Sequence, residues 1–168
     1  PIAAASLAQV HRATTLDGRA IAVKVLYPNI EILIRRDLAV LRSILPVLRR
    51  LIVVSRLERV LDQLAVMLAH ETDYANERKN IARMREIFAA KPNVIVPDVV
   101  AELTAGPVLT MSYEEGTKIT DFPRLRAQEI DTEAVARLLV ECYFQMLLEH
   151  RVFHAGPHPG NFLVGAGP

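Results

Sequence analysis

Cysteine is nearly absent from this chain: Cys142 stands alone, so no internal disulfide framework can staple the fold. Its helical neighbours give it the character of a plain core thiol. An excess of one charge is missing as well. The 20 basic and 19 acidic residues leave a net charge of +1. The bases are interspersed with acids, so no nucleic-acid surface is expected. No uninterrupted apolar run approaches the ~20 residues that cross a bilayer, and the N-terminus has no basic-then-apolar signal pattern, so the chain is expected to be soluble or peripheral to a membrane. There is no internal repeat and no low-complexity tract. What is plentiful is apolar side chain, at 51% of 168 residues. That is enough for one ordinary core, divided into two lobes. The opening directly on a small-residue run at Pro1, and a last apolar triplet Phe162-Leu163-Val164 that reads as the start of a strand, give the expectation that the sequence is a piece of something longer.

Along the chain, Gln9 to Thr14 and Arg19 to Leu26 read as two strands of a hairpin turned at Leu16-Asp17-Gly18. In the second strand Ile21, Val23 and Val25 share one face, while Ala22, Lys24 and Leu26 share the other. Lys24 is thus a lone charge among apolar neighbours. From Ile30 to Ala90 the period becomes helical, with Pro46 expected to break or kink the first stretch. Leu57, Val60, Leu61, Leu64 and Leu68 form one expected buried stripe, and that helix runs on into Glu71-Thr72-Asp73-Tyr74-Ala75-Asn76-Glu77. Two strands are expected next, Val94 to Glu102 and Pro107 to Ser112, followed by a polar connector at Tyr113-Glu114-Glu115-Gly116. From Thr132 to His150, Val135, Leu138, Leu139, Cys142, Tyr143, Met146 and Leu147 mark a second long helical stripe.

Several residues invite a chemical reading beside a plain one. Lys24 could simply snorkel at a sheet edge. Glu71, Asp73 and Glu77 could be a solvated helix face. His150, His154 and His158 sit four apart, a spacing that would line up metal ligands on one helix. Pro157 and Pro159 cannot continue such a helix, so the three rings need not converge.

The segment His154-Ala155-Gly156-Pro157-His158-Pro159-Gly160-Asn161 carries the most information. It has the spacing of the protein-kinase catalytic loop H-R-D-x-x-x-x-N, with Gly156 at the position of the catalytic Asp. The order of features fits the same scheme: a small-residue loop, a strand with one Lys, a helix with a Glu, two strands, a polar connector, a long helix, then this loop. Each piece alone is weak.

Together these segments resemble the UbiB/AarF/ADCK family of atypical protein kinases over roughly residues 1–164. Pro1-Ile2-Ala3-Ala4-Ala5-Ser6 and on to Ala13 resembles the family's alanine-rich loop, Ile21-Ala22-Val23-Lys24-Val25 its lysine strand, Glu71 to Glu77 its E-x-D-x-x-x-E signature, and His154 to Asn161 its H-A-D-P-H-P-G-N loop. The resemblance implies an α+β, protein-kinase-like fold. Residues 1–112 would form an N-lobe with a helical insertion, and 113–168 the hinge with an incomplete helical C-lobe. It implies ATP and Mg2+ as cofactors, with Ala3, Ala4, Ala5, Ser6, Lys24, Glu77, Met111, Tyr113 and Glu114 around the nucleotide and Asn161 as a magnesium ligand. Glu71 and Asp73 would be regulatory carboxylates facing a Lys-x-Gly-Gln element, a tetrapeptide this sequence does not contain. His154 would be architectural.

The resemblance further implies a part in ubiquinone or related prenyl-lipid biosynthesis, with a nucleotide, lipid or quinone-biosynthesis proteins as partners. The setting would be cytoplasmic or peripheral to a membrane in a bacterium, mitochondrial or plastid in a eukaryote. Two departures matter. Gly156 lacks the carboxylate that would orient or deprotonate an attacking hydroxyl, and no D-F-G-like segment occurs. Ala3, Ala4 and Ala5 favour helical geometry and restrict the backbone approach that glycines permit. Impaired catalysis, or a pseudokinase-like binding or scaffolding module, is therefore expected.

Overall fold

A computed structural model describes residues 1–51, 57–153 and 158–165. Contacts divide the chain into two compact units, one of residues 1–83 and 97–113, the other of residues 84–96 and 114–168. The sequence had suggested a single cut after residue 112.

The first unit is built on a four-stranded antiparallel sheet in the order β1-β2-β3-β4, with β1 at Ala3–Ala4, β2 at Ala8–Thr14, β3 at Ala20–Leu26 and β4 at Val108–Ser112. The β2–β3 turn closes through Thr15 and Arg19, whose backbone N–H and C=O meet at 2.9 Å. Gly18 takes φ +90°, a conformation costly for any side chain. β3 is central. It pairs Val10 with Lys24 on one side and Lys24 with Leu109 on the other.

The alanine-rich segment is extended, not helical: Ala3 and Ala4 pair with Val10 and Gln9, and Ala5 N–H closes the bend onto Ala8 C=O at 2.8 Å. Pairing with a neighbouring strand has overridden the weak helical propensity of alanine.

Three helices lie between β3 and β4: α1 (Ile30–Leu51), α2 (Leu57–Thr72) and α3 (Tyr74–Phe88). Pro46 lies inside α1 and does not end it. α1 and α2 pack through buried Leu38, Leu45 and Leu61. Val60, expected within the buried stripe of α2, is 53% exposed, because it lies on the flank turned away from Leu61 and Leu68. The expected continuation of α2 through Asp73 does not occur. Helix geometry is interrupted there, and Asp73 Oδ1 accepts the Asn76 N–H at 3.0 Å as the cap of α3.

α3 then lays Tyr74 and Ile81 on the sheet face formed by Ala8, Leu26 and Leu109. Tyr74 is 2% exposed and Leu109 fully buried. Each such side chain stabilises the unit by about 1.5–3 kcal/mol.

The strand expected over Val94–Glu102 is absent. Val99 makes an isolated bridge to Met111, and Ala101–Leu103 forms a 3-10 turn. The reason is local: Pro97 removes a ladder donor, and Val94 and Val96 turn their side chains to the core of the second unit.

That core joins Ile87 and Phe88 to Cys142 and Met146 of α5 (Thr132–Phe144) and the turn after it. Asp131 caps α5, accepting the N–H groups of Glu133 and Ala134 at 2.9 and 3.1 Å. The helix expected through His150 widens into a π turn over Gln145–Glu149, and Leu147, expected to be buried, is half exposed. A short α4 (Phe122–Ala127) precedes α5. β5 (Thr117–Lys118) pairs with β6 (Leu163–Val164). Gly116 is needed there, since a Cβ would stand 2.9 Å from Leu163 Cβ.

The Tyr74 hydroxyl is buried with no hydrogen-bond partner, and burial together with the Glu77 and Glu71 carboxylates pushes its ionisation well above the ordinary phenol value of about 10. A group raised in this way leaves stability intact below pH ~10 and lowers it as pH rises further, because the unfolded chain then ionises first. Tyr74→Phe keeps the ring and removes an orphaned polar atom. Chemical denaturation at pH 7 should show stability unchanged or higher, and the alkaline loss should be smaller than in the parent. A loss of more than ~1 kcal/mol at pH 7 would show that the hydroxyl is bonded after all.

Candidate functional site

Lys24 is the one charge on its sheet face between Ala22 and Leu26. An ammonium held among apolar side chains needs a partner, because desolvation without pairing costs several kcal/mol. The partner is Glu77. Lys24 Nζ donates to Glu77 Oε1 at 2.8 Å and to Oε2 at 2.9 Å, with the two side chains 21% and 32% exposed.

The cap at Asp73 fixes where α3 begins. Tyr74 and Ile81 anchor its face, and Glu77, three residues after Tyr74 and four before Ile81, is thereby aimed at β3. Beneath the ammonium lies the Tyr74 ring, with its centroid 5.1 Å from Nζ. At that distance the ring face adds about 0.5–2 kcal/mol of cation–π attraction. Sequence reading passed over Tyr74. An aromatic residue directly after a capping Asp, in helical register with Ile81, is the signal that would have found it.

The other expected site residues fall into two groups. In the first unit, Ala3 and Ala4 lie in β1, Ala5 and Ser6 in the exposed bend that follows. Met111 pairs across the sheet with Ala22, two residues from Lys24. Tyr113 N–H donates to Ala20 C=O at 3.2 Å, and the Arg12 guanidinium stacks 4.4 Å from the Tyr113 ring centroid. Arg12 was not among the expected residues; its place in β2, opposite Ala22, explains the contact. Glu71 lies in the last turn of α2 and Asp73 caps α3, so the two acids lie on different elements and do not share a helix face.

Glu114, the second residue of the connector, is the first of it in the second unit. Asn161 closes a 3-10 turn over Pro159–Asn161, capped by His158, whose Nδ1 accepts the Gly160 N–H at 3.0 Å. His154 and Gly156 lie outside the described residues. Among the described residues no group of His, Cys, Asp or Glu is gathered as a metal cluster. His150 faces Glu149, with Nε2 3.9 Å from Oε2. Cys142 is buried, and burial pushes its thiol up, which makes it a core residue and a poor nucleophile.

No described helix is long and apolar enough to cross a membrane. The chain matches the ABC1 atypical kinase-like domain over residues 1–168. It is 34% identical to AarF domain-containing protein kinase 1 of Xenopus tropicalis over all of this chain and 32% of that protein. It is 35% identical to the probable protein kinase UbiB of Cellvibrio japonicus over 98% of this chain and 30% of that protein. The ACTIVITY OF BC1 COMPLEX KINASE 3 of Arabidopsis thaliana, a chloroplastic protein, is 34% identical over 98% of this chain and 24% of its own. The chain thus spans less than a third of these relatives. Among solved structures, the Mycobacterium tuberculosis protein Rv3197 in complex with erythromycin superposes with a TM-score of 0.78 and 30% identity, covering 98% of this chain and 41% of that one. The expected α+β, kinase-like fold is therefore correct, and the chain belongs to the family of ABC1 atypical kinase-like domains.

Proposed function

We propose that this domain binds a magnesium nucleotide, ATP above all, and that its own phosphoryl-transfer or hydrolytic step is impaired. One observation carries the reading: an ammonium on a sheet strand, held by a helix carboxylate at 2.8 Å, is the arrangement that keeps a cation beside a nucleotide phosphate chain in kinases. The Glu77 carboxylate keeps Lys24 from swinging into solvent, and the Tyr74 ring limits its other direction.

Ala3 and Ala4 of β1, with Ala5 and Ser6 of the bend after it, would cover the phosphates with an extended backbone. Met111, Tyr113 and Glu114 would offer main-chain groups to the base. Asn161 supplies a carboxamide oxygen, the hard donor type that magnesium takes. Bound magnesium would contribute charge neutralisation on the phosphates. Glu71 and Asp73 are proposed as regulatory carboxylates; Asp73 already spends one oxygen on its cap. The setting proposed is ubiquinone or related prenyl-lipid biosynthesis, cytoplasmic or peripheral to a membrane in a bacterium and in mitochondria or plastids otherwise. Lipid or quinone-biosynthesis proteins are the proposed partners.

Gly156 favours a second reading, that of a pseudokinase-like binding or scaffolding module. Glycine cannot orient or deprotonate a hydroxyl, so binding would outlast chemistry.

Two experiments separate these possibilities. Isothermal titration of magnesium-ATP into the parent and Lys24→Met should show affinity falling about ten- to a hundredfold, the worth of lost charge-assisted hydrogen bonds. Equal affinity would remove the nucleotide reading. Gly156→Asp in the longest chain that carries this domain should raise ATP turnover by ~10²–10⁴-fold while changing affinity little. Turnover staying at background with binding intact would favour the non-catalytic module.

A further inference from the structure

A concavity in the first unit includes Asp73 and Tyr74 but neither Lys24 nor Glu77. A cavity of about 690 Å3 opens between α1, α2, the beginning of α3 and the turn at Thr104, Ala105 and Gly106. This volume is within the few-hundred to ~1,000 Å3 range of small-molecule sites. Its apolar wall is made by Ile34, Leu38, Ala65, Leu68 and Ala69.

The polar groups around it are mostly spoken for. The Thr72 hydroxyl donates to the Leu68 and Ala69 carbonyls, both at 3.2 Å, and that of Thr104 to Val100 C=O at 2.9 Å. Arg42 is held by Asp62 at 2.9 Å, and Asp73 Oδ1 accepts the α3 amide of Asn76. Arg35 reaches Glu31 only at 3.8 Å. Arg78 lines the same cavity, is exposed, and its guanidinium makes no ion pair or hydrogen bond within the described structure. Uncommitted or loosely held beside the apolar wall are the Arg78 guanidinium, the Arg35–Glu31 pair at 3.8 Å and one oxygen of Asp73; of these, the two guanidiniums are the groups that can take an anion.

We propose that this cavity binds an amphiphile with a single oxyanion head, a carboxylate or phosphate monoester. The head pairs with the Arg78 fork, with Arg35 in support, and the hydrocarbon body lies along Leu38 and Leu68. A guanidinium favours such heads because its donors match two oxygens at once. The apolar wall supplies the affinity that an exposed ion pair alone does not. Tyr74 forms part of the wall, so occupancy is sensed at that ring.

The test is calorimetric titration of the purified full chain, without nucleotide, with decanoate and with decyl phosphate below their micelle concentrations. Decanol and decyltrimethylammonium serve as head-group controls, and the tyrosine ring signals are followed by NMR. Saturable binding of either anion, with movement of the Tyr74 signals and about tenfold weakening in Arg78→Glu, is the expected result; the better of the two anions identifies the head group. Circular dichroism checks that Arg78→Glu is folded, and Arg78→Gln replaces it if it is not. The proposal is overturned if neither anion saturates, if decyltrimethylammonium binds as well as the anions, or if folded Arg78 variants bind with parental affinity.

Discussion

A single ammonium placed on an apolar sheet face constrains the whole first unit. Lys24 lies on the central strand, flanked by Val10 and Leu109, where an unpaired charge would be expensive. The structure meets that demand by fixing the register of a helix whose Glu77 lies 53 residues further along the sequence. Asp73 stops α2 and starts α3, Tyr74 and Ile81 seat the helix on the sheet, and Glu77 arrives with both oxygens within 2.9 Å of the ammonium. A shift of α3 by one residue would turn Glu77 about 100° around the helix and leave two charges without partners. The capping acid and the core tyrosine are therefore as much part of the site as the ion pair they position.

The same segment shows how physical roles overlap. Tyr74 closes the core, lies under the Lys24 ammonium and forms part of the wall of the cavity lined by α1 and α2. Its orphaned hydroxyl is a cost that packing alone does not require, since phenylalanine would fill the same space. Asp73 likewise serves as a cap whatever else it does. Removing the Tyr74 ring or the Asp73 cap would change the local fold and the site together, so single-residue effects on nucleotide handling need a stability measurement beside them.

Much of this was legible in the sequence. The hairpin and its Asp17-Gly18 turn, the lysine strand and the order of loop, strand and helix follow from periodicity and motif spacing. They fail where tertiary context outweighs local preference. Ala3 and Ala4 are extended because β2 offers them partners. The apolar run from Val94 is irregular because Pro97 interrupts its ladder and its valines fill a core formed with α5. Val60 and Leu147 share the helical spacing of buried neighbours yet lie on exposed flanks, since periodicity gives the stripe but not its width. Tyr74 was missed because an aromatic inside an acidic motif draws less notice than the acids around it. The loop at His154 and Gly156 was read from sequence alone and lies outside the described residues.

The central claim is that Lys24 and Glu77 act as one unit in holding a nucleotide. A double-mutant cycle on magnesium-ATP affinity with Lys24→Met, Glu77→Gln and the two combined tests it most directly, with each variant's fold verified by its melting transition. The account predicts strong non-additivity: the double variant should bind about as weakly as Lys24→Met alone, with a coupling of at least ~1 kcal/mol. Additive losses, or affinities that ignore both substitutions, would contradict it.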